Sequence, residues 1–264
     1  MSDANLASSV FVDANDAITF ASSLLTGQGV SAEDSAAIAT CLVQADLRGV
    51  QTHGMSRLPI YVERVKRGLV NPVPSMKLTK PMAACASLDG DNGFGFLVGI
   101  RAMREAIEMA ETCGVGVVSA YNSNHFGMAA SYLLQAVTAG YFAFVFTNAA
   151  KSMPPWGGRE GLFGTSPFGA AAPAGKLPPF VLDMSPAVAA RGKIRLAEKR
   201  SESIPEGYAL DENGQSTTDP TAALRGVVLP IGTYKGSGIS MLMEILSGVF
   251  SGANFGGDVP DQYT

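Results

Sequence analysis

The sequence predicts an α/β protein in which helices flank a mixed β-sheet and a helical region precedes that sheet. Helical periodicity dominates the chain up to Arg67, and from Met76 onward short apolar stretches of the strand type alternate with helical ones. The 30 glycines and 15 prolines are spread along all 264 residues, which is typical of many turns between short elements.

Residues 1–75 are predicted to form the helical region. Apolar residues recur at helical spacing over 14–25 and over 32–48, and Ser31 with Asp34 three residues later indicates a capped start of the second helix. A third helix is predicted from Gly54 to Arg67.

Residues 76–264 are predicted to form the sheet domain. Its expected strands are 76–88, 115–122, 142–150 and 179–185, and its expected helices are 96–113, 125–141, 187–200 and 236–251. The elements from 115 to 150 follow the βαβ order, whereas 151–178 is predicted to be a site-forming loop. Residues 201–235 are polar and turn-rich, and the segment GYALDENGQSTTDP within them is predicted to be a solvent-facing excursion. Because the chain stops at Thr264 without a closing strand or helix, we expect it to be truncated at its C-terminus.

The composition excludes several classes of protein. The net charge is −4 and no long basic run occurs, so a nucleic-acid partner is not expected. No signal-peptide pattern and no apolar run of membrane-spanning length are present, so we expect a cytoplasmic protein without a membrane partner. Cys41, Cys85 and Cys113 are widely spaced, which indicates buried free thiols. The chain has two histidines, neither near a cysteine at ligand spacing, so no metal site is predicted.

Gly93, Gly95 and Gly99 lie between a predicted strand and a predicted helix, where a dinucleotide-binding fingerprint would stand. Their spacing differs from that fingerprint by one residue. The next strand also ends in asparagine and serine instead of the acidic residue that would bind a ribose. We therefore predict an ordinary turn at the start of the helix.

The segment QTHGMSRLPIY contains the first candidate site. If Gly54 opens a helix, His53 and Arg57 project from the same side, four residues apart. A guanidinium can hold a carboxylate through two parallel hydrogen bonds, while an imidazole exchanges a proton with the neighbouring carbonyl oxygen. Thr52 would orient the imidazole. The alternative is a surface histidine beside an ordinary arginine at a helix start.

The second histidine, His125, follows three polar residues between a predicted strand and a predicted helix. Anions bind at such junctions because the first backbone amides of a helix lack partners. Asparagine and serine are also ordinary helix caps, so a capped helix is an equally good interpretation of this stretch. The glycine-rich segment around Thr165 would allow a cofactor to approach the backbone, although flexible loops have the same composition.

Six segments together resemble the second type of the malate/L-lactate dehydrogenase family: ADLRGVQTHGMSRLPIY, LDGDNGFG, NSNHFGMAASY, GTSPFGAAAP, VLDMSPAVAARGKI and GTYKGSGISMLMEILSG. This family is distinct from the Rossmann lactate and malate dehydrogenases and includes ureidoglycolate dehydrogenase, sulfolactate dehydrogenase and 2,3-diketogulonate reductase. The resemblance covers nearly the whole chain. It implies a non-Rossmann fold, NAD or NADP as cofactor, a homodimer, and a reaction that interconverts a small 2-hydroxy acid and its 2-oxo acid.

The resemblance also implies roles for single residues. His53 would be the proton donor to the oxo group, assisted by Thr52, and Arg57 would bind the substrate carboxylate. His125 would act either as a general base or as a cofactor contact. Further substrate contacts are implied at Thr165 and Arg191, and further cofactor contacts at Phe126, Gly127, Met128, Ala129, Asp183, Met184, Ser185, Lys235 and Gly236.

Lys193 stands where the piperideine-carboxylate reductase branch has an acidic residue, which disfavours a cyclic imine substrate. Two other functions stay open. The first is a cofactor-free hydrolase or lyase in which a histidine acts with Asp46 or Asp183. The second is a catalytically inactive module that dimerises through the apolar segment ISMLMEILSGVF.

Overall fold

A computed structural model describes residues 10–261 of the chain. Its N-terminal part consists of α1 (Ala14–Thr26), α2 (Ala32–Leu47) and α3 (Leu58–Lys66). The first two helices match the prediction, and Ser31 accepts a hydrogen bond from the Asp34 amide as the capping pattern predicted. Leu25, Ile38 and Leu42 of these helices share one core with Phe96 of the later helix α4. The boundary at residue 75 stays a prediction.

The next elements form a mixed sheet of three strands: β1 (Lys77–Met82), β2 (Cys85–Gly93), then α4 (Gly95–Cys113) and β3 (Val117–Ser123). The strand-like stretch predicted over 76–88 comprises two strands, since β1 and β2 form an antiparallel hairpin in which Met82 pairs with Cys85. β2 and β3 are parallel and α4 connects them, so β2, α4 and β3 form a βαβ unit.

The βαβ unit predicted over 115–150 is wrong. After α5 (Ala130–Thr138), β4 (Ala143–Phe146) pairs antiparallel with β5 (Phe168–Ala172) and not with β3. β6 (Phe180–Met184) completes this second sheet. Strand β5 falls inside the predicted loop 151–178, and its small residues let α5 lie directly on the sheet: a Cβ at Gly169 would be 2.7 Å from Leu133 Cδ1.

The C-terminal part contains more structure than its polar sequence predicts. The elements are α6 (Arg191–Arg200), β7 (Ala209–Leu210), β8 (Ser216–Thr217), α7 (Pro220–Arg225), β9 (Val227–Val228) and α8 (Tyr234–Glu244). β7 lies between β8 and β9 in a third small sheet, so the predicted excursion GYALDENGQSTTDP contains two short strands. Most of its residues are exposed or half-buried, which agrees with the predicted solvent-facing position. Buried Ile194, Ala209 and Val228 share an apolar cluster with Met153, and this cluster anchors the segment.

The glycines between β2 and α4 have a packing role. A Cβ at Gly95 would lie 2.0 Å from the Asn124 carbonyl oxygen, and a Cβ at Gly99 would lie 2.6 Å from the ring of Tyr132. They therefore permit α4 to touch the loop after β3 and helix α5. The prediction of an ordinary helix-start turn agrees with these contacts.

Within residues 10–261, no helix combines the length and the apolar character that crossing a membrane requires. The three cysteines are free thiols. Cys41 is buried, Cys85 is half-buried and Cys113 is exposed, so the expectation of buried thiols is wrong for Cys113, which ends α4 where the helix meets solvent.

Candidate active site

Two histidines that are distant in sequence face each other in the structure. His53 belongs to a single 3-10 turn (Gln51–His53) after α2, and His125 belongs to the loop between β3 and α5. Their rings are stacked, with centroids 5.6 Å apart and planes at 19°. Both side chains line one large cavity, together with Arg57 and Thr52.

The helix predicted from Gly54 to Arg67 begins later than expected. A second 3-10 turn (Met55–Arg57) precedes α3, and the Gly54 backbone between the two turns is extended. The reason is a carboxylate of α2: Asp46 accepts a hydrogen bond of 2.8 Å from the Met55 amide, and a Cβ at Gly54 would lie 2.0 Å from its Oδ1 atom. Asp46 and Gly54 thus fix the backbone from which His53 and Arg57 reach the cavity.

His53 has a hydroxyl group as its partner. The Thr52 Oγ1 atom lies 2.9 Å from His53 Nδ1, which agrees with the predicted orienting role of Thr52. Burial, and next the positive charge of Arg57, lower the pKa of His53 from 6.5 to about 4. His53 is therefore neutral near pH 7 and can accept a proton at the nitrogen that does not face Thr52.

His125 is surrounded by donors and cations. The Tyr61 hydroxyl is 2.8 Å from its Nδ1 atom, and the Gly127 amide donates to the same nitrogen over 3.3 Å. Burial first, and then the charges of His53, Arg57 and Arg64, hold the pKa of His125 well below its usual range. His125 is a neutral imidazole in this environment.

The helix predicted over 125–141 is shorter at its N-terminal end. Residues 125–129 form a loop, and α5 begins at Ala130. Gly127 has a positive φ of 75°, and a Cβ there would lie 2.4 Å from the Phe96 ring, so this position requires glycine. The loop conformation places His125, Phe126 and Gly127 along the cavity.

Asn124 anchors this loop. Its amide group donates to the carbonyl oxygens of Asn92 and Gly93, and its Oδ1 atom accepts a hydrogen bond of 3.0 Å from Arg64. The sequence alone did not predict Tyr61, Arg64 or Asn124 as site residues. The helical spacing of Arg57, Tyr61 and Arg64 was the available signal, because such residues share one face of a helix.

The cavity has a volume of about 1500 Å³ and extends between α4, β3, β4 and the start of α6. The predicted substrate residues Thr165 and Arg191 line the same cavity as the two histidines, and α6 reaches Thr52 through Gly192. Gly192 permits this approach, since a Cβ there would lie 3.0 Å from Thr52 Cγ2. Among residues 10–261, one acidic residue lines the cavity, Asp261. The basic residues that line it are Arg57, Arg64, Lys151, Arg191 and Arg195.

Seven predicted cofactor residues do not line this cavity: Met128, Ala129, Asp183, Met184, Ser185, Lys235 and Gly236. Their cofactor contacts stay predictions. Asp183 accepts a hydrogen bond of 2.8 Å from the Ala130 amide at the start of α5, and burial raises the pKa of this carboxyl. Ser185 donates to the Thr165 carbonyl oxygen over 2.7 Å and so holds a cavity residue in place.

The sequence profile of one protein family, described as malate/L-lactate dehydrogenase, matches residues 12–264. The chain belongs to the malate/L-lactate dehydrogenase family. The predicted resemblance is confirmed, and so is the fold class of mixed α/β architecture with helices around small sheets.

Characterised relatives of this family are similar over most of the chain. The L-sulfolactate dehydrogenase of Methanocaldococcus jannaschii is 43% identical over 228 residues, which are 86% of this chain and 66% of that protein. Its solved structure superposes with a TM-score of 0.90 and covers 96% of this chain and 73% of its own. The malate dehydrogenase of Pyrococcus abyssi is 38% identical over 254 residues, 93% of this chain and 70% of that protein.

Two further relatives have a cofactor in their names. The (2R)-3-sulfolactate dehydrogenase (NADP(+)) of Chromohalobacter salexigens is 35% identical and covers 93% of this chain and 73% of its own length. The ureidoglycolate dehydrogenase (NAD(+)) of Escherichia coli is 36% identical and covers 89% of this chain and 67% of its own length. The predicted dehydrogenase class and the predicted nicotinamide cofactor agree with both relatives.

Proposed function

We propose that this protein is an NAD(P)-dependent dehydrogenase that acts on the CH–OH group of a small 2-hydroxy acid and interconverts it with the 2-oxo acid. The observation that carries the proposal is the single cavity that brings His53, Arg57 and His125 together. An arginine binds a carboxylate through paired hydrogen bonds, and a neutral imidazole beside it accepts the proton of the neighbouring hydroxyl group.

The cavity residues suit a nicotinamide dinucleotide. The cavity volume of about 1500 Å³ exceeds the ~300–1,000 Å³ typical of pockets for drug-sized ligands, so it suits a ligand as large as a dinucleotide. The excess of arginine and lysine at the lining supplies donors for the cofactor's phosphate groups. When bound, the nicotinamide ring exchanges a hydride with the second carbon of the acid.

The residues of the chain would perform the remaining steps. Arg57 binds the carboxylate and thereby orients the hydroxyl carbon. His53, whose Nδ1 atom faces Thr52, takes up the hydroxyl proton at Nε2 in the oxidation and returns it in the reduction. Positioning of both groups would contribute much of the rate, because it converts separate encounters into one prearranged reaction.

The charges at the cavity favour an acid with a second anionic group. Arg191 and Arg195 come from α6, whereas Arg57 comes from the turn before α3, so cations line the cavity from two directions. A dicarboxylate or a sulfonated acid would pair with both sets, while a monoanionic acid would pair with one. The names of the sulfolactate and malate dehydrogenase relatives agree with this preference.

A cofactor-free hydrolase or lyase is disfavoured by the carboxylates that it would need. Asp46 binds the Met55 amide and Asp183 binds the Ala130 amide, so both candidate partners of the histidines serve the backbone. The dehydrogenase interpretation accounts for the cavity residues and for the family together.

We also propose that the protein forms a homodimer and is located in the cytoplasm. Met241, Leu242, Ile245, Val249 and Phe250 of α8 and the turn that follows it expose between 42% and 71% of their surface, which suits burial against a second copy. The free thiols agree with a reducing compartment. The mass of the purified chain, measured by light scattering, tests the dimer.

The proposed activity is tested by following nicotinamide absorbance with NADH and with NADPH, each against oxaloacetate, sulfopyruvate and pyruvate. We expect turnover with one cofactor, faster with the two dianionic acids than with pyruvate. His53→Gln should lower kcat by ~10²- to 10⁴-fold, the usual loss for a missing acid/base group, and Arg57→Gln should mainly raise KM.

Tyr208→Phe is the matched control, because it removes a hydroxyl group from a residue of the apolar cluster around Met153, no member of which lines the cavity. The Tyr208→Phe variant should turn over at the rate of the unaltered protein. Folded protein that neither binds nor oxidises either cofactor would contradict the proposed function.

A further inference from the structure

Tyr61 contacts His125, and the sequence did not predict a role for it. It is 2% exposed, and its ring packs edge-on against Phe96 with centroids 5.4 Å apart and against Phe94 at 6.3 Å. This apolar packing fixes the phenol ring. Its hydroxyl group therefore lies 2.8 Å from His125 Nδ1 because the core holds it there.

The Gly127 amide indicates which nitrogen of His125 carries the proton. A backbone N–H can only donate, and this one is directed at Nδ1 over 3.3 Å. Nδ1 must then be the unprotonated acceptor, and the Tyr61 hydroxyl that faces the same atom must donate to it. The proton of the neutral ring stays on Nε2. The surrounding cations Arg57 and Arg64 oppose a second proton on the ring.

The two histidines consequently differ in the partners that they have. His53 faces the Thr52 hydroxyl, which can accept from or donate to Nδ1, so the neutral and the protonated ring both keep this hydrogen bond. His125 faces an amide, which fits only an unprotonated Nδ1. Protonation of His125 at Nδ1 would break that bond in a buried place, where an unpaired donor is costly.

We propose that Tyr61 is a positioning residue that, with the Gly127 amide, holds His125 as the neutral Nε2–H tautomer, so that His53 alone exchanges the proton of the reaction. His125 then acts as a fixed hydrogen-bond donor and not as a base. This inference rests on the proposed function for its catalytic consequence. The tautomer itself is a property of the free protein.

The test is a long-range ¹H–¹⁵N spectrum of the full chain labelled at histidine. Only two imidazoles contribute, and His53→Gln assigns the signals of His125 by elimination. We expect His125 to show an acceptor-type Nδ1 and a protonated Nε2 whose shifts stay constant from about pH 8 down to about pH 5, the range in which an ordinary histidine titrates.

In Tyr61→Phe the ring still packs against Phe94 and Phe96, but Nδ1 loses its shorter hydrogen bond. We expect the nitrogen shifts of His125 to move toward a mixture of tautomers. We also expect kcat to fall about tenfold with little change in KM, the size of effect that one hydrogen bond has. Tyr208→Phe should change neither measurement.

A protonated Nδ1 in the unaltered protein, titration of His125 within that pH range, or His125 shifts that are the same in Tyr61→Phe would each overturn the inference. Because the spectrum needs no turnover, it decides on the tautomer even if the proposed dehydrogenase activity is absent.

Discussion

At the scale of single residues, the site depends on keeping an imidazole neutral beside a guanidinium. In the proposed function Arg57 binds the substrate carboxylate, yet its charge also opposes protonation of His53. A bound carboxylate would offset that charge and so raise the pKa of His53 when the substrate is present. Carboxylate binding and proton uptake would thus be coupled through Arg57.

This coupling predicts the effect of Arg57→Gln on the free protein. Burial is the larger cause of the lowered pKa and stays, whereas the charge of Arg57 is removed, so the pKa of His53 should rise from about 4 part of the way toward 6.5. Histidine ¹⁵N shifts followed through an acid titration measure it. An unchanged or lower pKa in the variant would contradict the assigned cause.

At the scale of elements, the contact between α4 and the loop after β3 places His125. Gly95 allows it, because the position of its missing Cβ is 2.0 Å from the Asn124 carbonyl oxygen and 2.7 Å from the carbonyl carbon of His125. Both neighbours are backbone atoms, so they cannot rotate away as a side chain would. The start of α4 therefore fixes the distance between the helix and the histidine.

Gly95→Ala should accordingly lower the free energy of unfolding by ~1–3 kcal/mol, the usual cost of overpacking, and should also lower kcat because His125 moves. Gly238→Ala is the matched control. Gly238 lies within α8 with open space around its Cβ position, so alanine should stabilise the helix by ~0.5–1 kcal/mol. Denaturant unfolding measures both changes. Equal effects of the two substitutions would show that the α4 contact is not tight.

At the scale of the whole molecule, buried neutral histidines make stability depend on pH. The folded pKa of His53 is about 4, while an unfolded histidine has its ordinary value near 6.5. Between these values the unfolded chain binds more protons than the folded one, so the free energy of unfolding rises as the pH rises. Below about pH 4 and above about pH 6.5, His53 contributes no further slope.

We therefore expect the unaltered protein to lose stability as the pH falls from about 6.5 to about 4, with His53 accounting for at most roughly 3 to 4 kcal/mol at about 1.4 kcal/mol per pKa unit. His53→Gln should flatten that part of the curve. Urea unfolding at a series of pH values gives the comparison. A variant curve that runs parallel to that of the unaltered protein would rule out His53 as a cause.

Much of the candidate site is present in the local sequence. His53, Thr52 and Arg57 come from one short segment, so their proximity follows from the chain itself, and the second histidine stands out because the chain has only two. The capped helices α1 and α2 also follow from local periodicity and from Ser31. The family follows from several such segments in the right order.

Only the tertiary structure shows which strands that are distant in the sequence pair with each other. Whether β3 pairs with β2 or with β4 depends on which edges are free, and an apolar stretch such as 142–150 does not encode its neighbour. Helix α3 starts later than predicted because the Asp46 carboxylate accepts a hydrogen bond from the backbone amide of Met55, nine residues later in the chain. Tyr61 could not be assigned to His125 from spacing, since their contact exists only after α3 and the loop before α5 pack on the same aromatic core.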